Sequence, residues 1–201
     1  MSKISLFLCC MVAGVSVCRA ETEKLVEHFD EARPANWGVN FGVWEVADGN
    51  LVCRQVAADK HAAASRWKIP MQDGVIEVRL KLDGASAFHV GFDPKRGTLK
   101  KKGHLYSLII SPAGARIMKH LDKADPNSKN EILAESKVDL SKADWIEVRL
   151  EAKGNEVLAS VGEGIKLTAS DPSFGVPKPG IVFRCVGETA YLDQVAVMVK
   201  K

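Results

Sequence analysis

The sequence predicts an all-β domain built as a two-sheet antiparallel sandwich or a barrel. Three observations carry that prediction. Apolar residues alternate with polar ones at period two, turn chemistry punctuates the chain at short intervals, and helical periodicity is scarce after residue 21.

The clearest elements are "GVIEVRLKLDG" at 74–84 and "DWIEVRLEAKG" at 144–154, which share the letters IEVRL. In the first, Ile76, Val78, Leu80 and Leu82 fall on one face, with Glu77, Arg79 and Lys81 on the other. In the second, Ile146, Val148, Leu150 and Ala152 oppose Trp145, Glu147, Arg149 and Glu151. Each is a strand with one core face and one wet face, covering 75–82 and 145–152. Further strands are expected at 43–47, 51–57, 62–69, 87–93, 104–111, 115–121, 131–136, 156–161, 165–169, 180–186 and 190–199. Between them stand Asp48-Gly49-Asn50, Asp83-Gly84, Pro112-Ala113-Gly114, Gly154-Asn155, Gly162-Glu163-Gly164 and Pro177-Lys178-Pro179-Gly180. The turns after the two IEVRL stretches make each the first arm of a hairpin. Nothing else recurs at their spacing. The shared letters therefore read as one answer to a half-buried strand reached twice, not as a duplication. The irregular stretches 94–103 and 122–130 read as surface loops.

The opening "MSKISLFLCCMVAGVSVCRA" has an early Lys3, an apolar run from Ile4 to Val17 and a small Ala20 before polar "ETEK". That is the layout of a signal peptide, and the run is short for a membrane span. The expectation is a leader at 1–20, a single domain at 21–201, and a secreted or periplasmic protein. Cys18 raises the question of a lipid anchor, but Val17 stands where a small residue would be needed, so cleavage after Ala20 is favoured. Lys3 and Arg19 lie in the leader, so the formal charge of +3 falls to about +1 without it. Such a balanced chain does not advertise nucleic acid or an anionic membrane as partner.

Three of the five cysteines also lie in the leader, leaving Cys53 and Cys185 and no metal-binding Cys/His spacing. Leu51 shares a face with Cys53, as do Ile181 and Phe183 with Cys185, so both thiols are expected to point inward and come close together. They are either a disulfide, worth about 4–5 kcal/mol in the chain-entropy model, or two buried thiols acting as small hydrophobes. No cofactor is predicted. Asp122, Asp125 and Asn127 could supply oxygens to calcium, but their spacing matches no defined loop.

Four stretches run in a recognisable order: "EHFDEARPANWGVNFGVWEVADGNLVCR", "DGVIEVRLKLDGASAFHVGFD", "ADWIEVRLEAKGNEVLASVGEG" and "PGIVFRCVGETAYLDQVAV". Across 28–199 this order resembles the concanavalin A-like sandwich domains grouped as the 3-keto-disaccharide hydrolase-like family, related to family 16 glycoside hydrolases. The resemblance implies a jelly roll of two curved sheets with carbohydrate as partner on the concave one. It implies either hydrolase-like action on a modified disaccharide or glycoside, or a non-catalytic carbohydrate-binding or adhesive module. The chain departs from the family pattern at 85–93, at Arg79, where a Glu often stands, and at Arg184-Cys185-Val186-Gly187.

No catalytic residue is singled out. Retaining hydrolysis needs two carboxyl groups about 5–5.5 Å apart. Glu147 and Glu151 flank Arg149 on one strand face, which suits a cross-strand charge ladder better. The candidates for substrate binding are His89, Asp93, Arg79 and Arg184. His89 and Asp93 share a face opposite Phe88, Val90 and Phe92; an exposed histidine without a task is the competing reading. Arg184 opposes Phe183 and Cys185 and could fork onto vicinal hydroxyls or an acidic sugar, or pair with a neighbouring carboxylate. Trp44 is expected in the core, while Trp37, Trp67 and Trp145 stay open as stacking platforms. The basic run in "DPKRGTLKKKGH" either attracts an anionic polymer or is a solvated loop. The solvated loop is favoured, because the aromatics of a nucleic-acid site are missing.

Overall fold

The structure, a computed structural model, describes residues 22–200. The leader expected at 1–20, with Cys18, lies outside the described residues. Thirteen strands are described: β1 Thr22–Glu27, β2 Trp37–Phe41, β3 Val43–Ala47, β4 Asn50–Arg54, β5 Ala63–Trp67, β6 Gly74–Phe92, β7 Tyr106–Ser111, β8 Gly114–Lys119, β9 Glu131–Ser136, β10 Ile146–Lys153, β11 Glu156–Val161, β12 Ile165–Ser170 and β13 Ile181–Lys200. All pair antiparallel and form the two faces of a concanavalin A-like jelly roll. No described helix is long and apolar enough to cross a membrane.

Two long strands organise everything else. β6 and β13 run beside each other for nearly their whole length. Along its other edge β13 meets β5, then β4, then β1; β6 meets β10 with its first half and β7 with its second. One sheet is thus β12-β11-β10-β6-β13-β1, the other β9-β8-β7-β6-β13-β5-β2, and β4, with β3 at its edge, pairs β13 between β5 and β1. β12 lies against β8 and β9, which closes the sandwich on its far side.

Here the structure corrects the sequence reading. Residues 75–82 and 87–93 are not separate strands joined by an Asp83-Gly84 turn, and 180–186 and 190–199 are not separate either. Gly84 (φ +80) does take the left-handed backbone that its turn signal implies, and so does Gly187 (φ +93) in the gap between the second pair. They use it where the β6–β13 register shifts, so the strands bend without ending. Where a true hairpin was expected, the chemistry holds: Asp48 (φ 50) and Gly49 (φ 71) join β3 to β4.

The IEVRL stretch of β6 is the first half of a bent strand, whereas that of β10 opens a hairpin with β11. The two stretches lie side by side. Val78 faces Val148, Glu77 faces Arg149 and Arg79 faces Glu147. Run antiparallel, Glu-Val-Arg is complementary to itself, because each Glu meets an Arg. Ile76, Val78, Leu80, Ile146, Val148 and Leu150 are all buried.

Trp44 is buried as expected. Trp37 and Trp67 are buried too: Trp37 stacks on Trp67 at 5.0 Å and on Phe183 at 4.8 Å, so neither is a sugar platform. Trp145 is half-buried with the Arg79 guanidinium 4.9 Å above its ring. Cys53 and Cys185 are buried neighbours, with the Cys185 Sγ 3.6 Å from the Cys53 carbonyl oxygen, and they are free thiols here. The Lys178 side chain is buried as well. Its Nζ donates to the carbonyls of Gln72 (2.7 Å), Phe174 (2.8 Å) and Val176 (3.1 Å), tying the β12–β13 connection to the β5–β6 connection. Burial pushes its pKa down to about 8.

Candidate functional site

The sheet β9-β8-β7-β6-β13-β5-β2 has an inner face in the core and an outer face that carries chemistry. Register defines that outer face. Ala64, Arg184, His89, Ile109 and Arg116 lie in one row across β5, β13, β6, β7 and β8, and Arg66, Val182, Gly91, Ser107 and Met118 in the next. Their chain neighbours Phe183, Phe88, Val90, Leu108, Ile110 and Ile117 fill the core, so these rows point the other way.

Over this face lies a groove of about 630 Å³. Phe41 and His61 wall one side, their rings stacked at 4.3 Å with Phe41 41% exposed. The chain from Asp93 to His104 walls another. The 94–103 stretch is therefore not a loop solvated on all sides. Lys101 Nζ donates to the His120 carbonyl, the Lys102 amide to Asp122 (2.9 Å) and the Lys95 amide to the Pro177 carbonyl (2.7 Å). Leu99 packs onto the core. Asp122 also accepts from the Ala124 amide, and Asp125 from the Asn127 amide, both at 2.9 Å. Those carboxylates serve as turn caps.

Of the four sequence candidates, the structure brings His89, Asp93 and Arg184 onto one face and leaves Arg79 elsewhere. Arg79 lies on the outer face of the other sheet. It binds Asp193 (2.6 Å) and Glu147 (3.4 Å) and lines a separate cavity of about 230 Å³.

Asp93 is the only carboxylate among the described residues lining the groove, and it is fully engaged. Arg66 Nε and Nη2 donate to Oδ2 at 3.2 and 3.1 Å, and His104 Nδ1 donates to Oδ1 at 2.5 Å. Burial alone would raise its pKa. The hydrogen bond and charge of His104 and the Arg66 guanidinium outweigh that and hold it below the usual carboxylate range.

His89 is buried, 9% exposed, so the exposed-histidine reading is also wrong. Burial, Arg184, His120, Arg116 and His104 push its pKa down to about 3. His120, beside it and sharing a 2.8 Å hydrogen bond with Ser107, is held at about 4 by burial and then by His104, Arg184 and Lys101, with Asp93 opposing. Both rings are neutral near pH 7. Gly91 makes room for this arrangement, because a Cβ there would meet the Ser107 Oγ at 2.3 Å. Arg184 is drawn below the ordinary guanidinium value by burial yet stays charged.

The sequence did not reveal Phe41, His61, Arg66, His104, Ser107 or His120. Arg66, Ser107 and Phe41 sit on strands whose pairing alternation alone does not specify. His104 and His120 stand just beyond strand ends, where no period applies.

No protein-family model and no curated protein sequence matches the chain. Solved structures do. The laminarinase from Rhodothermus marinus aligns over 90% of this chain and 99% of its own, with TM-score 0.66 and 14% identity. The carbohydrate-binding module CBM66 from Bacillus subtilis aligns over 82% and 92%, with TM-score 0.58 and 15% identity. A CBM2 module of the evolved Dit protein of Lactobacillus casei BL23 phage J-1 aligns over 90% and 97%, with TM-score 0.63 and 12% identity. At such identities the likeness establishes the fold. It shows a concanavalin A-like jelly roll and does not reach the narrower 3-keto-disaccharide hydrolase-like family.

Proposed function

We propose that this protein is an exported carbohydrate-binding module whose ligand lies in the groove over β5 and β13, between Phe41 and the 93–104 segment. One observation carries the choice of binding over hydrolysis. The groove offers a single carboxylate, and that carboxylate is locked by Arg66 and His104. Glycosidic cleavage by paired carboxyl groups needs an acid and a base or nucleophile roughly 5–9.5 Å apart, and among the described residues no second carboxylate lines the groove with Asp93. What the groove does offer is an exposed ring, Phe41, for the apolar face of a pyranose, and cations and imidazoles for its polar groups. The same fold serves a laminarinase, a carbohydrate-binding module and a CBM2 module in the proteins it resembles. The leader-like opening of the chain supports export.

The hydrolytic reading, action on a 3-keto-disaccharide or related glycoside, is what the sequence resemblance implies. The test covers both. Residues 21–201 are incubated with a panel of glycosides and 3-keto-glycosides, and electrophoresed through gels containing polysaccharides. The expected result is retardation by at least one polysaccharide without release of product. Turnover abolished by His104→Gln would overturn the binding assignment in favour of catalysis.

A further inference from the structure

We infer that the ligand of this groove is an anionic glycan, bearing sulfate-ester or carboxylate groups, and that Arg184 is the anchor for one such group. The inference rests on reading the groove as a carbohydrate site and adds the class of carbohydrate.

The first argument is charge. Eight Lys and Arg side chains line the groove against Asp93 alone. Lys95, Arg96, Lys100, Lys101 and Lys102 come from the loop, Lys123 from the next loop, and Arg66 and Arg184 from the strands. Among the described residues only Arg66 of these eight has a salt-bridge partner. The whole chain carries a formal charge of only +3, so this surplus is local and is balanced on other surfaces. A cleft with one sign of charge concentrates ligands of the other sign.

The second argument is unsatisfied polarity at Arg184, which lines the groove, and at His89 beside it. The Nε of Arg184 and the Nδ1 of His89 are buried atoms with no hydrogen-bond partner among the described residues. They belong to facing residues of adjacent strands, Arg184 on β13 and His89 on β6. His89 itself is 9% exposed. Arg184 is half-buried with no counter-charge, and the native fold keeps its shielded Nε beside a second orphaned polar group. An oxyanion at Arg184 supplies the missing counter-charge, because the planar guanidinium fork matches the geometry of a sulfate or carboxylate. Arg116 lies within electrostatic reach of His89 and reinforces the field.

The third argument separates glycan from nucleic acid. Binding to single strands relies on successive aromatic platforms along a basic track. This groove exposes one stacked pair, Phe41 on His61, at its edge. That suits a single pyranose ring in a charged chain.

The experiment measures binding of residues 21–201 to dextran sulfate and polygalacturonate, with unmodified dextran, laminarin and duplex DNA as comparators. Runs at about 50 and about 300 mM NaCl read out the electrostatic share. The expected result is retention of at least one anionic polymer, weakened by salt and by about tenfold or more in Arg184→Gln. Arg149→Gln, a cation on the opposite sheet, should bind as the parent does. Should Arg184→Gln fail to fold by circular dichroism, the exposed pair Lys100→Gln with Lys102→Gln carries the same expectation. Retention of neutral dextran or laminarin but of neither anionic polymer would overturn the inference and leave the carbohydrate reading standing. Retention of no polysaccharide would overturn both. Equal retention of DNA and dextran sulfate, insensitive to Arg184→Gln, would reduce the groove to an unspecific cationic field and overturn the inference too.

Discussion

The two outer faces of this sandwich are built from the same two strands and could hardly be charged more differently. On the face formed by the first half of β6 with β10, acids and bases alternate and each finds a partner. Arg79 meets Asp193 and Glu147, Arg149 meets Glu77 (2.9 Å) and Glu151 (3.0 Å), and Lys81 meets Asp144 (2.7 Å). On the face where the second half of β6 lies beside the start of β13, one carboxylate stands among eight cations from β5, β13 and the loops, with two neutral, buried imidazoles close by. The first face is a solubilised sheet that needs nothing more. The second is incomplete as it stands, and incompleteness inside a groove is what distinguishes a site from a surface.

The largest expected consequence is in acid. His89 holds a pKa of about 3 in the folded protein, against about 6.5 for an ordinary histidine. Between those values the unfolded chain binds a proton that the folded chain refuses. Stability is therefore complete above about pH 6.5 and falls as pH drops through that window. His120, held at about 4, adds to the same limb. For a buried ring such a shift is worth on the order of 3–4 kcal/mol at its acid end. Urea midpoints measured at pH 7, 5 and 4 should show this loss, and His89→Gln should remove a large part of it. An unchanged acid limb in His89→Gln would erase the contrast between the faces. Dextran sulfate keeps its charge over this range, so if it binds near the histidines it should restore stability most strongly at the acid end.

A cation can also be buried completely, and Lys178 is the control for that case. Its ammonium has three carbonyl acceptors, whereas Arg184 Nε has none. Lys178→Met removes the donor and strands those carbonyls, at a cost of about 2–3 kcal/mol in thermal or urea unfolding. Arg184→Gln, by relieving an unpaired charge, should cost less than this or stabilise. If Lys178→Met proved harmless while Arg184→Gln unfolded the protein, partner completeness would be the wrong measure of which cation is functional.

How much of this was legible beforehand follows from the physics of strands. Alternation sorts residues to two faces, so it found the core sides of β6 and β10 and put His89 and Arg184 opposite Phe88 and Phe183. It is blind to which strands become neighbours. The meeting of Arg184 with His89, and of the two IEVRL stretches, depended on register between segments far apart in sequence. It is blind also to the difference between a glycine that ends a strand and one that bends it, hence the misplaced breaks at Gly84 and Gly187. The basic loop was visible as a charge run. Its direction, over the groove and not into solvent, is set by contacts with His120, Asp122 and Pro177 that no local pattern records.

The smallest expected effect lies on the paired face, and its smallness is the point. Glu77, Arg79 and Arg149 are each roughly 40% exposed, so water and salt screen their pairs. Arg149→Ala should cost only about 0.5 kcal/mol and leave glycan retention untouched. Exchanging the pair, Glu77→Arg with Arg149→Glu, keeps the direct cross-strand attraction but destroys the alternation of sign along each strand. Position 77 would then carry a second cation two residues from Arg79. Position 149 would carry a carboxylate between Glu147 and Glu151 on the same strand face. Stability should therefore fall by about 1 kcal/mol, more than for Arg149→Ala, and recover as NaCl is raised. A salt-independent loss would mean that packing of the long side chains, not their charge, is what the Glu-Val-Arg repeat supplies.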